Sequence, residues 1–328
     1  MNRLRTTPLH ARTLAWSLAL SMAAAAAQAL DLQGHRGARG LAPENSLPAF
    51  EQAIDLGVTT LEMDAAITRD GVVVIHHDLA LNPAYARDAQ GRWLDQPSAP
   101  IHALTWAELQ TYDIGRLKPG TRYGSNHPAQ RAIDGTRIPR LADLFEWVQR
   151  GGHDRVRFAI EIKTSPLQPD ATQPPEAFAE RLVAEIRKAG MQRRTQIMSF
   201  DWRGLQVVQR IAPEIPTVYL SAQQSWLDNV GAGKAADSPW TAGFQHREHR
   251  SVPRMIKAAG GRIWSVFHGD LSPELLREAR ELGIRVLVWT VNDAPTMERL
   301  LDWGVDGLIT DRPDIAMDVV RRKGVKLD

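Results

Sequence analysis

The sequence predicts a closed parallel barrel of β/α units, and three observations carry that prediction. From Asp31 onward, short apolar runs alternate with segments of helical period, as in a parallel sheet with helices outside it. Roughly seven or eight such units fit within the ~250 residues that a (β/α)8 barrel uses, with some chain left over. An open, doubly wound sheet would need a phosphate loop after its first strand. "GHRGARG" lacks the G-x-G-x-x-G spacing, and "ARGLAPENS" delays the helix. A faint internal echo agrees: "GVTTLEMD" (57–64) and "GVDGLITD" (304–311) share Gly-Val, Leu and Asp at matching offsets.

The first 29 residues stand apart from this pattern. Arg3, Arg5 and Arg12 precede the apolar run "LAWSLALSMAAAAA", and Ala27-Gln28-Ala29 follows as a small-x-small cleavage signal. That order predicts a secretory signal peptide, 1–29, removed after Ala29, and an exported protein, periplasmic or secreted. As a membrane anchor the run falls short of the ~18–20 apolar residues that a span needs. No cysteine follows it to take a lipid, and no later stretch is apolar enough to insert stably in a bilayer. The formal charge of +2 includes the three leader arginines, so the remainder sits near −1 and nucleic-acid binding has no compositional support. With no cysteine there are no disulfides, and the core alone must hold residues 30–328 as a single barrel domain. No protein partner is implied.

Taken in order, "DLQGHRG" reads as a strand and "ENSLPAFEQAIDLG" as a helix closed by Gly57. "TTLEMDAAIT" and "GVVVIHHD" read as strands joined at the turn dipeptide Asp70-Gly71. Later strands are "RVRFAIEIK", "RTQIMSF", "IPTVYLS", "RIWSVF", "RVLVWTVN" and "VDGLITD", separated by helical stretches such as "PEAFAERLVAEIRKAG" and "SPELLREARELG". The surplus falls at about 80–140, rich in Gly, Pro and polar residues, with one helix expected at "TWAELQ". An irregular segment of that length marks an insertion over a functional face or a mobile stretch.

Strand parity sorts the ionisable residues. Glu62 and Asp64 point one way and Met63 the other. Two carboxylates on the packed inner face repel, and one is forced neutral unless a cation sits between them. Oxygen-only ligation selects one hard divalent ion, Mg²⁺ or Ca²⁺, over zinc; the alternative is an exposed strand face with two solvated acids. In "AIEIK", Glu161 and Lys163 share a face at the end of an apolar run, where barrel active sites lie. Glu161 is the natural third ligand and Lys163 a cation for a phosphate oxygen, although an E-x-K pair is also an ordinary salt bridge. His35 and Arg36 end the first strand at "GHRG", whose glycines allow close backbone approach. Arg36 suits two-pronged phosphate binding, and a histidine beside it suits proton transfer; taken singly they are a surface pair. Of His76 and His77, alternation allows only one to face the site; Asp78 can orient His77 locally as the chain turns, although strand parity argues against direct contact. His102, His127, His153 and His246 read as solvated.

"GHRG", then "PENS", "LEMDAAITRDGVVVIHHD" and "EIK", with late "VWTVND" and "GVDGLITDRP", resemble the glycerophosphodiester phosphodiesterase family in motif order over nearly the whole mature chain. The resemblance implies a TIM barrel with a small insertion after the second strand. It also implies metal-dependent hydrolysis of a small-molecule glycerophosphodiester to glycerol 3-phosphate and an alcohol. His35 and His77 match the family's acid/base pair; Glu62, Asp64 and Glu161 its metal-binding carboxylates; Arg36 and Lys163 its phosphate-contacting cations. Glu44 matches an acid supporting the first histidine and arginine, and Trp289 an aromatic lining the substrate pocket, although "VLVWTV" equally suits a core tryptophan. By analogy the substrate's glycerol 2-hydroxyl attacks first, with His77 as base and His35 as acid. Two departures stand out. Ser46 replaces the usual threonine, a mild change if it caps the helix, and "LALNPAYAR" replaces an Arg-Thr-Thr segment, leaving headgroup selection to the insertion that follows. Two rival readings are a phospholipase acting on intact lipid, which needs an exposed apolar rim such as "SPWTAGF" (238–244), and a non-catalytic phosphate-ester binding protein.

Overall fold

Short strands with one face turned to helices and the other to a common axis close this chain into a ring. The computed structural model describes residues 29–328; except for Ala29, the stretch read as a signal peptide lies outside the described residues. Nine strands run in chain order: β1 (Asp31–Gly34), β2 (Thr60–Ile67), β3 (Val73–Ile75), β4 (Arg157–Ile162), β5 (Thr195–Ser199), β6 (Thr217–Ser221), β7 (Ile263–Phe267), β8 (Arg285–Trp289) and β9 (Gly307–Thr310). All except β3 are parallel, and β1 pairs with both β9 and β2, so eight strands form a closed barrel. The expected barrel is therefore present. β3 lies outside the ring, antiparallel on the far half of β2, with Ala65 opposite Ile75 and Ile67 opposite Val73.

Each parallel strand leads to a helix on the outside, directly or after a longer connection. These are α1 (Leu47–Leu56), α2 (Leu141–Arg150), α3 (Pro175–Lys188), α4 (Trp202–Ile211), α5 (Val252–Ala258), α6 (Pro273–Glu281), α7 (Ala294–Trp303) and α8 (Pro313–Lys323). The helix ends follow sequence chemistry. Ser46 caps α1 by accepting from the Ala49 amide, the role that makes its replacement of threonine mild, and Gly57 ends the helix in the left-handed region at φ 93°. Between strands and helices lies the main core, which takes Leu61, Met63, Phe158 and Ile160 from the outward faces of β2 and β4. The barrel axis is filled by a smaller apolar layer that includes Ala159, Met198, Val218 and Leu287.

The surplus chain, residues 76–140, packs a core of its own against the β2–β3 hairpin. Ala66 and Val74 from the hairpin meet Leu81, Tyr85, Ile101, Leu109 and Ile138. The expected helix at "TWAELQ" forms over Trp106–Leu109 with a reciprocal capping box between Thr105 and Glu108. A second short helix, Arg122–Asn126, had no sequence signal.

The "GHRG" turn fits only because its glycines are bare. Gly37 sits at φ +83°, and a Cβ there would lie 2.6 Å from the backbone carbon of Ala49 in α1. Gly37→Ala is expected to cost about 1–3 kcal/mol from the backbone conformation alone. A lower urea midpoint with an unchanged slope is the check.

Candidate active site

The carboxylates converge because β2 and β4 are neighbours in register. Asp64 lies opposite Glu161, and Glu62 opposite Ala159, so pleating puts three acids on the inner face near the strands' C-terminal ends. One oxygen from each of Glu62, Asp64 and Glu161 falls within 4.8 Å of the others, all three side chains being buried. Burial together with Asp64 raises the Glu62 carboxyl well above its ordinary range. Burial likewise raises Glu161 to about 7 against the pull of Lys163. Burial also opposes ionisation of Asp64, but His77, Lys163, Arg36 and the Asn45 amide outweigh it and hold that carboxyl low. A buried set offering only carboxylate oxygens, with two of its acids resisting ionisation, fits a hard divalent cation.

The cations flank this cluster. Lys163, one residue beyond β4, reaches Glu161 Oε1 at 2.8 Å and Asp64 Oδ1 at 3.5 Å. Arg36 follows β1 with φ 50°; its backbone amide donates to Glu62 Oε2 at 2.8 Å and its Nη1 to Glu44 Oε1 at 2.8 Å. Its Nε is buried and lies 3.3 Å from Asp64 Oδ2, an ion pair without hydrogen-bond geometry. Glu44 thus braces the arginine as expected. The histidine half of that expectation is corrected: the carboxylate on His35 is Asp311, at 2.6 Å from Nδ1.

His77 has the same arrangement. Its Nδ1 lies 2.7 Å from Asp78 Oδ1. Parity argued against this contact; β3 ends at Ile75, so residues 77 and 78 are no longer pleated and their side chains can meet. An ionised aspartate only accepts, so each imidazole donates through Nδ1 and keeps its Nε2 lone pair free. Burial lowers both rings to about 4, helped by Arg39 at His35 and by Arg36 and Lys163 at His77. Both are neutral near pH 7. His76 turns away, buried, with its ring 6.1 Å from Tyr85, so only one of the adjacent pair serves the site. The other histidines are not free in solvent as expected: His102, His127, His153 and His246 are each half-buried, His127 lying edge-on to Tyr123.

These groups share one cavity of about 510 Å³. One side carries His35, Arg36, Glu62, His77, Glu161 and Lys163; the other is an uncharged wall that includes Met198, Phe200, Trp226, Trp240 and Trp289. Trp289 both lines the pocket and packs on the apolar layer of the barrel axis, edge-to-face with Phe200 at 5.3 Å. The uncharged wall therefore comes from β5, β8 and the segments after β5 and β6. The insertion reaches the cavity lining through the stretch ending at Leu79. The rim expected at 238–244 is also corrected: Ser238, Trp240 and Thr241 are buried, and the exposed large apolar side chains are Leu167 at 68% and Trp226 at 59%.

Several residues here escaped the sequence reading. Asp311 accepts from His35, from Arg39 through Nε and Nη2 at 2.8 Å each, and from Asn292 at 2.8 Å. Its signal was present in the 57–64 and 304–311 echo, which sets it in the position of Asp64. Asn45, next to Glu44 and at φ 52°, donates to Asp64 Oδ2 at 2.8 Å. Two insertion tyrosines, Tyr85 and Tyr123, hydrogen-bond Asp78 and Glu44, and nothing in their spacing pointed there.

A parallel barrel with carboxylates, paired imidazoles and cations gathered at its C-terminal mouth is the plan of an enzyme for anionic esters. A model of the glycerophosphoryl diester phosphodiesterase family matches residues 35–315, and the chain belongs to that family. It is accordingly a phosphoric diester hydrolase. A solved structure from Silicibacter pomeroyi DSS-3, provisionally assigned as a glycerophosphoryl diester phosphodiesterase, is 33% identical and superposes with a TM-score of 0.81 over 92% of this chain and 96% of that one. A glycerophosphodiester phosphodiesterase of Caldanaerobacter subterraneus subsp. tengcongensis is 27% identical over 88% of this chain and 97% of its own. One from Bacillus subtilis is 26% identical over 86% and 83%.

Asp311 is buried and is the one carboxylate within ion-pair distance of Arg39 among the described residues. Asp311→Ala should therefore destabilise the fold by about 3–5 kcal/mol, the usual penalty for stranding a buried charge. Guanidinium unfolding of the variant beside the parent chain measures it.

Proposed function

We propose that this enzyme hydrolyses glycerophosphodiesters to glycerol 3-phosphate and the free alcohol, using a divalent cation and two histidines. One observation carries the reading: two neutral imidazoles, each anchored through Nδ1 to an aspartate, line the same cavity as Glu62 and Glu161 of the acidic trio and the cations Arg36 and Lys163. The curated relatives named above support the substrate class. A diester is anionic, so an attacking oxygen must overcome its charge before chemistry begins. Arg36 and Lys163 bind its phosphoryl oxygens. Glu62, Asp64 and Glu161 would hold Mg²⁺ or Ca²⁺, which when bound supplies further charge neutralisation to the phosphate.

The proton steps then belong to the histidines. His77 Nε2 takes the proton from the attacking hydroxyl, the glycerol 2-hydroxyl in this reading, as its oxygen bonds to phosphorus. The bond to the leaving alcohol breaks, and that oxygen takes a proton from His35, which must therefore have been protonated once the anion was bound. Water opens the cyclic phosphate with the two roles reversed, yielding glycerol 3-phosphate. Trp289 packs against the apolar part of the substrate. The basic, apolar and small-residue order of residues 1–29 supports export, periplasmic or secreted. In the described residues no helix is long and apolar enough to cross a membrane.

His35→Ala and His77→Ala should each abolish glycerophosphodiester turnover while leaving cation affinity largely intact; equal loss of calorimetric metal binding in both would make them ligands instead. EDTA should silence the enzyme, stepwise addition of Mg²⁺ or Ca²⁺ should restore it, and Glu62→Gln should need more cation for the same recovery. Glycerophosphocholine should be cut in preference to phosphatidylcholine. The reverse preference would favour the phospholipase alternative, and no phosphate-ester product from either would favour a binding protein.

A further inference from the structure

The insertion reaches the chemistry from behind. Tyr85 donates its hydroxyl to Asp78 Oδ2 at 3.0 Å, and Asn82 donates to the same oxygen at 2.9 Å, while the other oxygen faces His77. Tyr123 donates to Glu44 Oε2, whose partner oxygen holds Arg36. The two rings touch, with centroids 5.6 Å apart. The insertion also grips the loop that carries Arg36: Gln130 Nε2 donates to the Arg39 carbonyl at 2.7 Å, and the Arg131 amide to that of Leu41 at 2.9 Å. Neither tyrosine lines the cavity.

Each contact has the same three-part form, from phenol to carboxylate to working side chain. A carboxylate held on one oxygen only can turn about its last torsion, and whatever it holds on the other oxygen turns with it. Glu44 has only Tyr123 on its outer oxygen, whereas Asp78 shares that oxygen between Tyr85 and Asn82 and loses one of two holds when the Tyr85 hydroxyl goes. Phenylalanine would fill the same space as either tyrosine, so each hydroxyl is needed for the carboxylate it meets rather than for packing.

We infer that the insertion positions the active site through these two hydroxyls, Tyr85 fixing the Asp78–His77 pair and Tyr123 fixing the Glu44–Arg36 pair. The assignment rests on the roles proposed for His77 and Arg36. It separates the two tyrosines. His77 works only during proton transfer, so its misalignment lowers kcat; Arg36 holds the anion before and during reaction, so its misalignment raises KM.

The test compares full-length Tyr85→Phe and Tyr123→Phe with Tyr112→Phe, a tyrosine of the same insertion packed at the edge of its core. Loss of one hydrogen bond to a charged group predicts about a tenfold fall in kcat at steady KM for Tyr85→Phe. For Tyr123→Phe the expectation is about a tenfold rise in KM at steady kcat. Tyr112→Phe should match the parent in both. Two readouts do not need turnover. Inorganic phosphate affinity by calorimetry should weaken in Tyr123→Phe and hold in Tyr85→Phe. Imidazole ¹⁵N spectra should show His77 as the Nδ1–H tautomer in the parent and a mixture in Tyr85→Phe. If kinetics, phosphate affinity and spectra all stay at parental values while only Tm falls, the insertion is a structural cap and the inference is overturned. If the parent enzyme turns over no glycerophosphodiester, the proposed function fails, and phosphate affinity and spectra still judge the insertion's role.

Discussion

Three carboxylates packed against one another inside a barrel mouth are the constraint around which the site is built. Two unit charges 4–5 Å apart repel by about 4 kcal/mol even at an effective dielectric of 20, and burial removes the water that would soften this. The surroundings of Glu62, Asp64 and Glu161 answer that repulsion. Lys163 bridges Glu161 and Asp64, the Arg36 amide caps Glu62, and Asn45 donates to Asp64. Such a cluster is costly to keep in a fold for stability alone. Its upkeep makes sense in an enzyme whose substrate is itself negative and needs positive charge brought close.

The histidines solve a related problem with opposite logic. Each is partly buried beside cations that favour its neutral form, yet each has an aspartate that fixes its ring. The environment thus sets orientation and charge by separate means. The aspartates come from different places, Asp78 from the residue next in sequence and Asp311 from the end of the last barrel strand, 276 residues from His35. Closing β1 onto β9 is what brings the latter pair together, so ring closure and an anchored His35 ring are one event.

What the sequence reveals and hides follows from range. Strands were legible because their apolar runs are local and their side chains alternate; Glu62, Asp64 and Glu161 followed from parity alone. Lys163 was legible as a cation beside Glu161, and Arg36 as a phosphate-binding residue beside His35 at the end of the first strand. Partners fixed by tertiary closure were not legible: Asp311 on His35, Tyr123 on Glu44 and Tyr85 on Asp78 join segments whose proximity no local period encodes. The His77–Asp78 contact stayed open for the converse reason, since an alternation rule was carried two residues past the end of β3. The wall of Phe200, Trp226, Trp240 and Trp289 gathers aromatics from the segments after β5 and β6 and from the end of β8, and no single stretch announces it.

The attachment of the insertion through β3 has a consequence for how this protein tolerates change. Among the named strands β3 pairs with β2 alone, on its overhanging half, so the ring would close without it. Architecturally the segment is an accessory, open to lengthening or trimming wherever its chain lies clear of the barrel mouth. Chemically it is not, because it touches the rest of the enzyme at the groups that grip Arg36 and His77. Grafting it between relatives would thus preserve the scaffold and disturb the alignment proposed for Arg36 and His77, a separation of foldability from competence within one stretch of chain.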